Sequence, residues 1–452
     1  MTELRRELTL LDATMINVGT MIASAIFIVP ATVAASLPNP SLMLLVWVAG
    51  GAVSLLGALC VAELGAALPE AGGIFVYLER AYGPVWGFLY AWTAALIINP
   101  ASVAAIAVGF ATYVGFFVPL GSAAVKAVAV GSIVALTAVN CLGLKLGARV
   151  QNVLTLLKIG ALGALVGSAL LLPGGSAEHF RPFFPGGNLA GLAGAFSVAM
   201  VAVLWAYDGW IEITYVGSEV RDPGRTLPRS IAISVFLVVG LYALTNAAYL
   251  YVLSPHRMAQ SSLVGSDAAM VLIGPLGAAL VAGAIIVSTL GANNGIVLTS
   301  ARIPYAVSRA GLFFRWMGGV HPRFHTPNAA LLTQGAVAAA FALTGTYDQL
   351  FTYVVFASWM FYGMSAAAVM RLRAVAPQLP RPYRVWGYPV TPMVFIAFAL
   401  WLVASTITES PLESGIGGAI ILAGVPVYRY WRGRRNGESG GMVTNPTRNV
   451  EV

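Results

Sequence analysis

Charge is what this chain has least of. Asp, Glu, Lys and Arg make up 9% of 452 residues, against 58% hydrophobic residues and a mean hydropathy of +0.82. A soluble domain of that size cannot cover its surface with so little charge. Cysteine is nearly absent too. Cys60 and Cys141 fall inside or at the end of apolar runs, which excludes a disulfide framework and gives no metal-ligand spacing. The four histidines, His179, His256, His321 and His325, all fall in connecting loops. Neither a Walker A phosphate loop nor an HExxH or GxSxG motif occurs, and no His/Asp pair sits at one depth. ATP hydrolysis and the common hydrolytic chemistries are thereby excluded, and no cofactor or metal is implied.

Long apolar runs fill the chain instead. Crossing the hydrocarbon core takes about 20 mostly apolar residues. About twelve segments qualify: 11–36, 41–68, 84–117, 124–143, 148–172, 190–216, 230–253, 275–307, 327–345, 349–371, 391–408 and 414–431. They leave no room for a separate soluble domain, and the first is too long for a cleavable leader. Basic residues concentrate in alternate loops, among them Arg5 and Arg6, Arg80, Lys145 and Arg149, Arg221 to Arg229, Arg309 to Arg323, and Arg371 to Arg384. The opposite loops offer little beyond Lys126, Arg181 and Arg257. The expectation is a multi-pass protein of the cell membrane with both termini cytoplasmic. The net charge of +8 is then positive-inside bias, and the surroundings are lipid rather than nucleic acid.

Two runs are interrupted at mid-depth. GTMIASAIFIVP, Gly19 to Pro30, places small and hydroxyl residues where Leu and Val would be expected, and LWAYDGW, Leu204 to Trp210, sets Asp208 and Gly209 among aromatics. Paired breaks in corresponding helices point to a transporter binding site. Unpaired backbone in hydrocarbon costs several kcal/mol and persists only beside a cavity. The breaks lie about 180 residues apart, each in the first helix of a five-helix set, which predicts an inverted repeat. The fold expected is all-α and integral to the membrane. Helices 1–5 occupy 11–173, helices 6–10 occupy 190–373, two further helices occupy 391–432, and 433–452 form a disordered cytoplasmic tail. Pro69 to Pro84 reads as a short interfacial or re-entrant helix, and Pro255 to Pro275 as an outer loop.

A half-helix N-terminus after the first break presents free N–H groups and a positive dipole end, which suits a carboxylate, and Ser24 adds a hydroxyl. The same small residues also serve as a helix-packing face. Asp208 at helix centre costs about 2.5–3.5 kcal/mol on insertion scales, so it faces a cavity or a partner. It either accepts from a substrate ammonium or caps the half-helix that follows. Trp205 and Tyr207 flank it, as a lid over a ligand or as ordinary interhelical aromatics. Lys158 lies too deep to reach the headgroups comfortably and serves as a fixed cationic strut or a proton carrier. Asn99, Ser102, Asn293 and Tyr362 are further polar positions within spans, as are Ser288, Thr289 and Asn294. Each is a ligand contact or interhelical glue. Glu63 and Glu219 near the cytoplasmic ends read as caps or gates, and Glu212, one turn past the second break, fits either a site or a cap.

These segments carry a family likeness. The chain resembles the amino acid–polyamine–organocation superfamily over nearly its whole length, and within it the L-type amino acid transporters of bacterial type. The family pattern G-T-x-I-G-S-G-I-F appears as G-T-M-I-A-S-A-I-F, Gly19 to Phe27, with both inner glycines replaced by alanine. That substitution crowds the approach of a carboxylate to the backbone and favours small substrates. Pro69 to Pro84, YVGSEVRDPGRTLPRSI (Tyr215 to Ile231) and TSARIPYAVSRAG (Thr299 to Gly311) resemble the family's other signatures. The resemblance implies a LeuT-like fold with helices 1 and 6 broken. Amino acid substrates would be bound at Ser24, Ala25 and Ile26 and at Trp205, Ala206, Tyr207 and Asp208, with Trp205 as gate. Lys158 would take the place of a sodium ion, implying sodium-independent exchange of neutral L-amino acids. LWAYDGW is also similar to the family's exchanger of cystine and dibasic amino acids. A proton-coupled cationic amino acid or polyamine porter is therefore the alternative, and a non-transporting sensor the third reading. Animal members bind a glycoprotein through a cysteine between helices 3 and 4. The corresponding loop, Val118 to Ala123, has none, so no disulfide-linked subunit is expected.

Overall fold

The computed structural model describes residues 3–183, 189–344, 347–409 and 411–439. Thr9 begins the first helix through a reciprocal capping box: Asp12 N–H donates to its hydroxyl, and the Asp12 carboxylate takes the Thr9 N–H. That helix, α1 (Leu10–Met21), ends where the chain turns extended at Ile22, and α2 (Ala25–Ser36) resumes after a 43° bend. The order continues with α3 (Pro40–Ala67), α4 (Ile74–Tyr82), α5 (Pro84–Thr93), α6 (Asn99–Val114), α7 (Ser122–Cys141), α8 (Leu144–Leu171) and α9 (Leu189–Ala206). After a turn come α10 (Glu212–Tyr215), α11 (Pro223–Val252), α12 (Pro255–Ala259), α13 (Val264–Ile273), α14 (Pro275–Ser300) and α15 (Arg302–Arg309). The last helices are α16 (Asn328–Thr344), α17 (Tyr347–Val375), α18 (Val390–Glu409) and α19 (Pro411–Ser439).

Each of the twelve apolar segments coincides with one of these helices or with two in succession. Among the described residues, seven helical stretches are long and apolar enough to cross a membrane, and the bent pair α1–α2 makes an eighth. α9 and α16 are apolar but shorter in their described parts. The expected outer loop folds into α12 and α13, and the expected re-entrant segment supplies α4. α19 continues through residues 433–439 of the expected tail, and 440–452 lie outside the described residues.

The span expected over 84–117 holds a feature its hydropathy does not announce. Residues Ala94–Ile98 form a π-helical turn between α5 and α6, closed by the Asn99 N–H on the Ala94 carbonyl. Pro100 explains it: a proline has no N–H for the α-helical bond and its ring crowds the carbonyl four residues back, so the backbone widens by one residue.

α1 lies at the centre, packed against α8, α11 and α14. On the face carrying the N-terminus, the Glu7 and Leu8 N–H groups donate to the Glu219 carbonyl at 2.8 and 3.0 Å, and Arg221 N–H donates to Leu8 O. Leu8 is buried. The Glu219 side chain accepts from Arg302 Nε at 2.7 Å and Nη2 at 3.0 Å, both side chains fully desolvated. Glu63 ties α3 to the end of α17, accepting from Arg373 at 2.5 and 2.9 Å and from Val385 N–H.

Candidate functional site

The two breaks meet. Asn17, fully buried on α1, donates from Nδ2 to the Trp210 carbonyl at 3.0 Å and accepts the Ile213 N–H on Oδ1 at 3.0 Å. Thr20 Oγ1 reaches Gly209 O at 3.1 Å. Gly209 adopts φ +113°, and an added Cβ would stand 3.0 Å from the Thr20 and Met21 backbone. Glycine is therefore required at the crossing.

Helix α1 stops deep in the structure, where its own backbone cannot serve its last carbonyls. Side chains from other helices do so instead. Lys158 Nζ on α8 donates to Gly19 O at 2.5 Å and to Ile22 O at 2.8 Å, with 1% of the residue exposed. Ser288 on α14 donates to Ile22 O and lies within reach of Ala23 O. The Tyr242 hydroxyl on α11 lies 2.9 Å from Met21 O and 3.2 Å from Ala206 O, bridging the last turns of α1 and α9. A cation at the C-terminus of a helix also opposes the negative end of its dipole.

Beside this junction lies a cavity of about 80 Å³. By that measure a water needs only about 10–15 Å³, so a ligand of several heavy atoms fits. Its wall on one side is the start of α2, where Ser24 precedes the first turn and makes no side-chain cap. Trp205, Asp208 and Glu212 from the second break also line it, and Asn99, Ser102 and Tyr362 complete the lining with small apolar neighbours. Asp208 Oδ1 accepts from the Gly209 N–H and the Tyr362 hydroxyl, both at 3.0 Å. Glu212 accepts from the Thr299 hydroxyl. Asn99 Nδ2 is buried without a partner among the described residues.

Of the residues picked out in the sequence, Ser24, Ala25, Trp205, Asp208, Asn99, Ser102 and Tyr362 line the cavity. Others stand outside its wall. Ile26 is wholly buried in the apolar core. Ala206 contributes its carbonyl to Tyr242, and Tyr207 packs its ring on Trp47 and Tyr242. Asn293 donates to Val103 O on α6. Asn17 and Tyr242 escaped the sequence reading. Asn17 carried a signal, as a polar side chain within an apolar run one turn before the break; Tyr242 carried none.

A sequence model of the amino acid permease family matches residues 8–427. The chain belongs to that family. Among curated members, the b(0,+)-type amino acid transporter 1 of Mus musculus is 34% identical over 91% of this chain and 84% of its own length. The serine/threonine exchanger SteT of Bacillus subtilis is 33% identical over 96% and 98%. The Asc-type amino acid transporter 1 of Mus musculus is 33% identical over 95% and 82%. An amino acid permease is a membrane transporter rather than an enzyme, and the multi-pass helical fold agrees.

Proposed function

We propose that this permease is a sodium-independent exchanger of neutral L-amino acids, working by alternating access around the cavity at the two breaks. One observation carries the reading: the start of α2, where Ser24 makes no side-chain cap, and the Asp208 carboxylate line one small cavity. The first suits a substrate carboxylate and the second a substrate ammonium. The small volume favours short side chains, in keeping with the serine/threonine exchanger among its relatives. Lys158 supports sodium independence, because its amine occupies the carbonyl cluster where a bound cation would sit. Trp205, on the cavity wall, is the gate. The architecture is a LeuT-like 5+5 inverted repeat of twelve spans, in the cell membrane with both termini cytoplasmic. The chain works without a disulfide-linked subunit, since the loop between α6 and α7 carries no cysteine.

A second reading, a porter of cationic amino acids or polyamines, is favoured by the two carboxylates on the cavity wall. One experiment separates the two. Proteoliposomes preloaded with labelled L-alanine are diluted into each amino acid in turn, with and without sodium. Efflux stimulated by small neutral amino acids and indifferent to sodium is expected. Stimulation by arginine or putrescine alone favours the second reading, and no stimulation by any of them sinks both.

A further inference from the structure

A second cavity, of about 210 Å³, shares no lining residue with the first and is more than twice its size. Ala161 and Leu165 of α8, Val281 of α14, Leu272 of α13 and Phe27 of α2 stand on its wall. Among the described residues that line it none is charged, and Ser168 brings the one hydroxyl. Small side chains at Ala161, Ala164 and Ala284 leave the space that leucines would close.

The crevice reaches the outer surface of the bundle. Leu280 on its rim is 58% exposed and Ile273 39%, and Ala164 is exposed as well. Next to it on α8, Gly160, Gly163 and Gly167 have open space where a Cβ would stand. Both α8 and α14 lie in stretches long and apolar enough to cross the membrane, so this surface faces hydrocarbon. The lining runs from Ala161 to Ser168 on α8 and from Gly277 to Ala284 on α14, about 10 Å along each helix.

These dimensions select the occupant. An apolar void forfeits dispersion contacts when empty, and water gains no partners in it. A helix of another protein is about 10 Å across, and packed helices such as α8 and α14 have axes only about 8–10 Å apart, so none enters between them. A single polymethylene chain is narrow enough, carries no polar atom that needs a partner, and is what the bilayer supplies.

The same two helices hold the end of α1. Lys158 lies one turn before Ala161 and Ser288 one turn after Ala284, and both donate to Ile22 O, at 2.8 and 3.0 Å. Phe27 joins the crevice to α2, two residues beyond Ala25 on the substrate cavity. Its ring packs on α13 so closely that a Cβ at Gly265 would stand 2.7 Å away.

We propose that this crevice binds an acyl chain of a bilayer phospholipid, and that the chain sets the spacing of α8 and α14 around the end of α1, so that the bilayer regulates exchange. A chain that fits one arrangement of α2, α8 and α14 better than another shifts the balance towards it. The regulatory half rests on the carrier reading above; the binding site does not.

The test uses the full chain in phosphatidylcholine vesicles carrying a trace of an analogue with a diazirine in its acyl chain. After illumination, peptide mass spectrometry should find the label concentrated in 161–168, 269–273 and 277–284, above the level at Val134, a 59% exposed position on α7. Ala164→Phe, and the milder Ala284→Leu, should lose that label and keep the label at Val134. Labelling no higher than at Val134, or unchanged in both filled variants, overturns the site; so do crosslinks from these segments to a second copy in place of lipid. L-Alanine exchange is then compared in phosphatidylcholines of equal chain length, straight or methyl-branched. Wild-type rates should differ severalfold between the two, and each filled variant should run at one rate in both. Equal wild-type rates, or a difference that the filled variants retain, overturn the regulation. Specific labelling without exchange in any vesicle overturns the carrier reading and leaves the site standing.

Discussion

Replacing Lys158 by methionine keeps most of the side-chain volume and removes the donor. Two bonds of 2.5 and 2.8 Å disappear from a site 1% exposed. The losses are unequal, because Ile22 O retains the Ser288 hydroxyl whereas Gly19 O loses the side chain that serves it. Hydrogen bonds to a charged donor contribute about 1.5–3 kcal/mol each, offset in part by the desolvation cost that a buried amine carries. A net loss of about 2–4 kcal/mol in the anchoring of the α1 end follows, or about 30- to 700-fold in the equilibrium between held and released forms. Exchange of labelled L-alanine should fall accordingly, and thermal unfolding in detergent should begin several degrees lower. Gly291→Ala provides an independent probe, since its Cβ would lie 2.6 Å from Lys158 Cε and push the amine from its seat. If Lys158→Met exchanges and unfolds like wild type, the amine is no strut and the account of α1 is wrong.

Trp205→Ala opens the cavity wall and leaves the Lys158, Ser288 and Tyr242 bonds to the α1 end in place. It should slow exchange at least about tenfold, roughly 1.4 kcal/mol, while the unfolding temperature stays near wild type; normal exchange would remove Trp205 from the gate. Gly209→Ala forces a side chain into φ +113° at 3.0 Å from the α1 backbone, which should cost about 2–4 kcal/mol and appear as lower yield and early unfolding. Glu219→Gln leaves Arg302 buried without its counter-charge and should destabilise by about 3–5 kcal/mol, most of it recovered when Arg302→Met is added. A double variant no more stable than the single one would contradict that reading.

The spans and the first break were legible because hydropathy and residue size report directly on depth and on backbone exposure. Lys158 stood out for the same reason, as a charge far from any headgroup. The second break was legible in Asp208 and Gly209, but not the direction its neighbours face. The helix ends at Ala206, and within the turn Tyr207 swings towards Trp47 while Asp208 faces the cavity. Asn17 and Tyr242 act through partners 193 and 221 residues away, and no local pattern encodes such a pairing. The π-turn at Ala94–Ile98 was implicit in Pro100, but whether a helix kinks or widens at proline is decided by its neighbours.

The few residues before α1 make the N-terminus a mechanical handle. Glu7 and Leu8 hang on the backbone of Glu219, and the side chain of that residue grips Arg302 at the head of α15. Tension or deletion near residues 3–9 therefore reaches α15 through two successive links. A purification tag or fluorescent protein fused there would load both links, and under the proposed alternating access a sensor tethered at that end would report on the cycle.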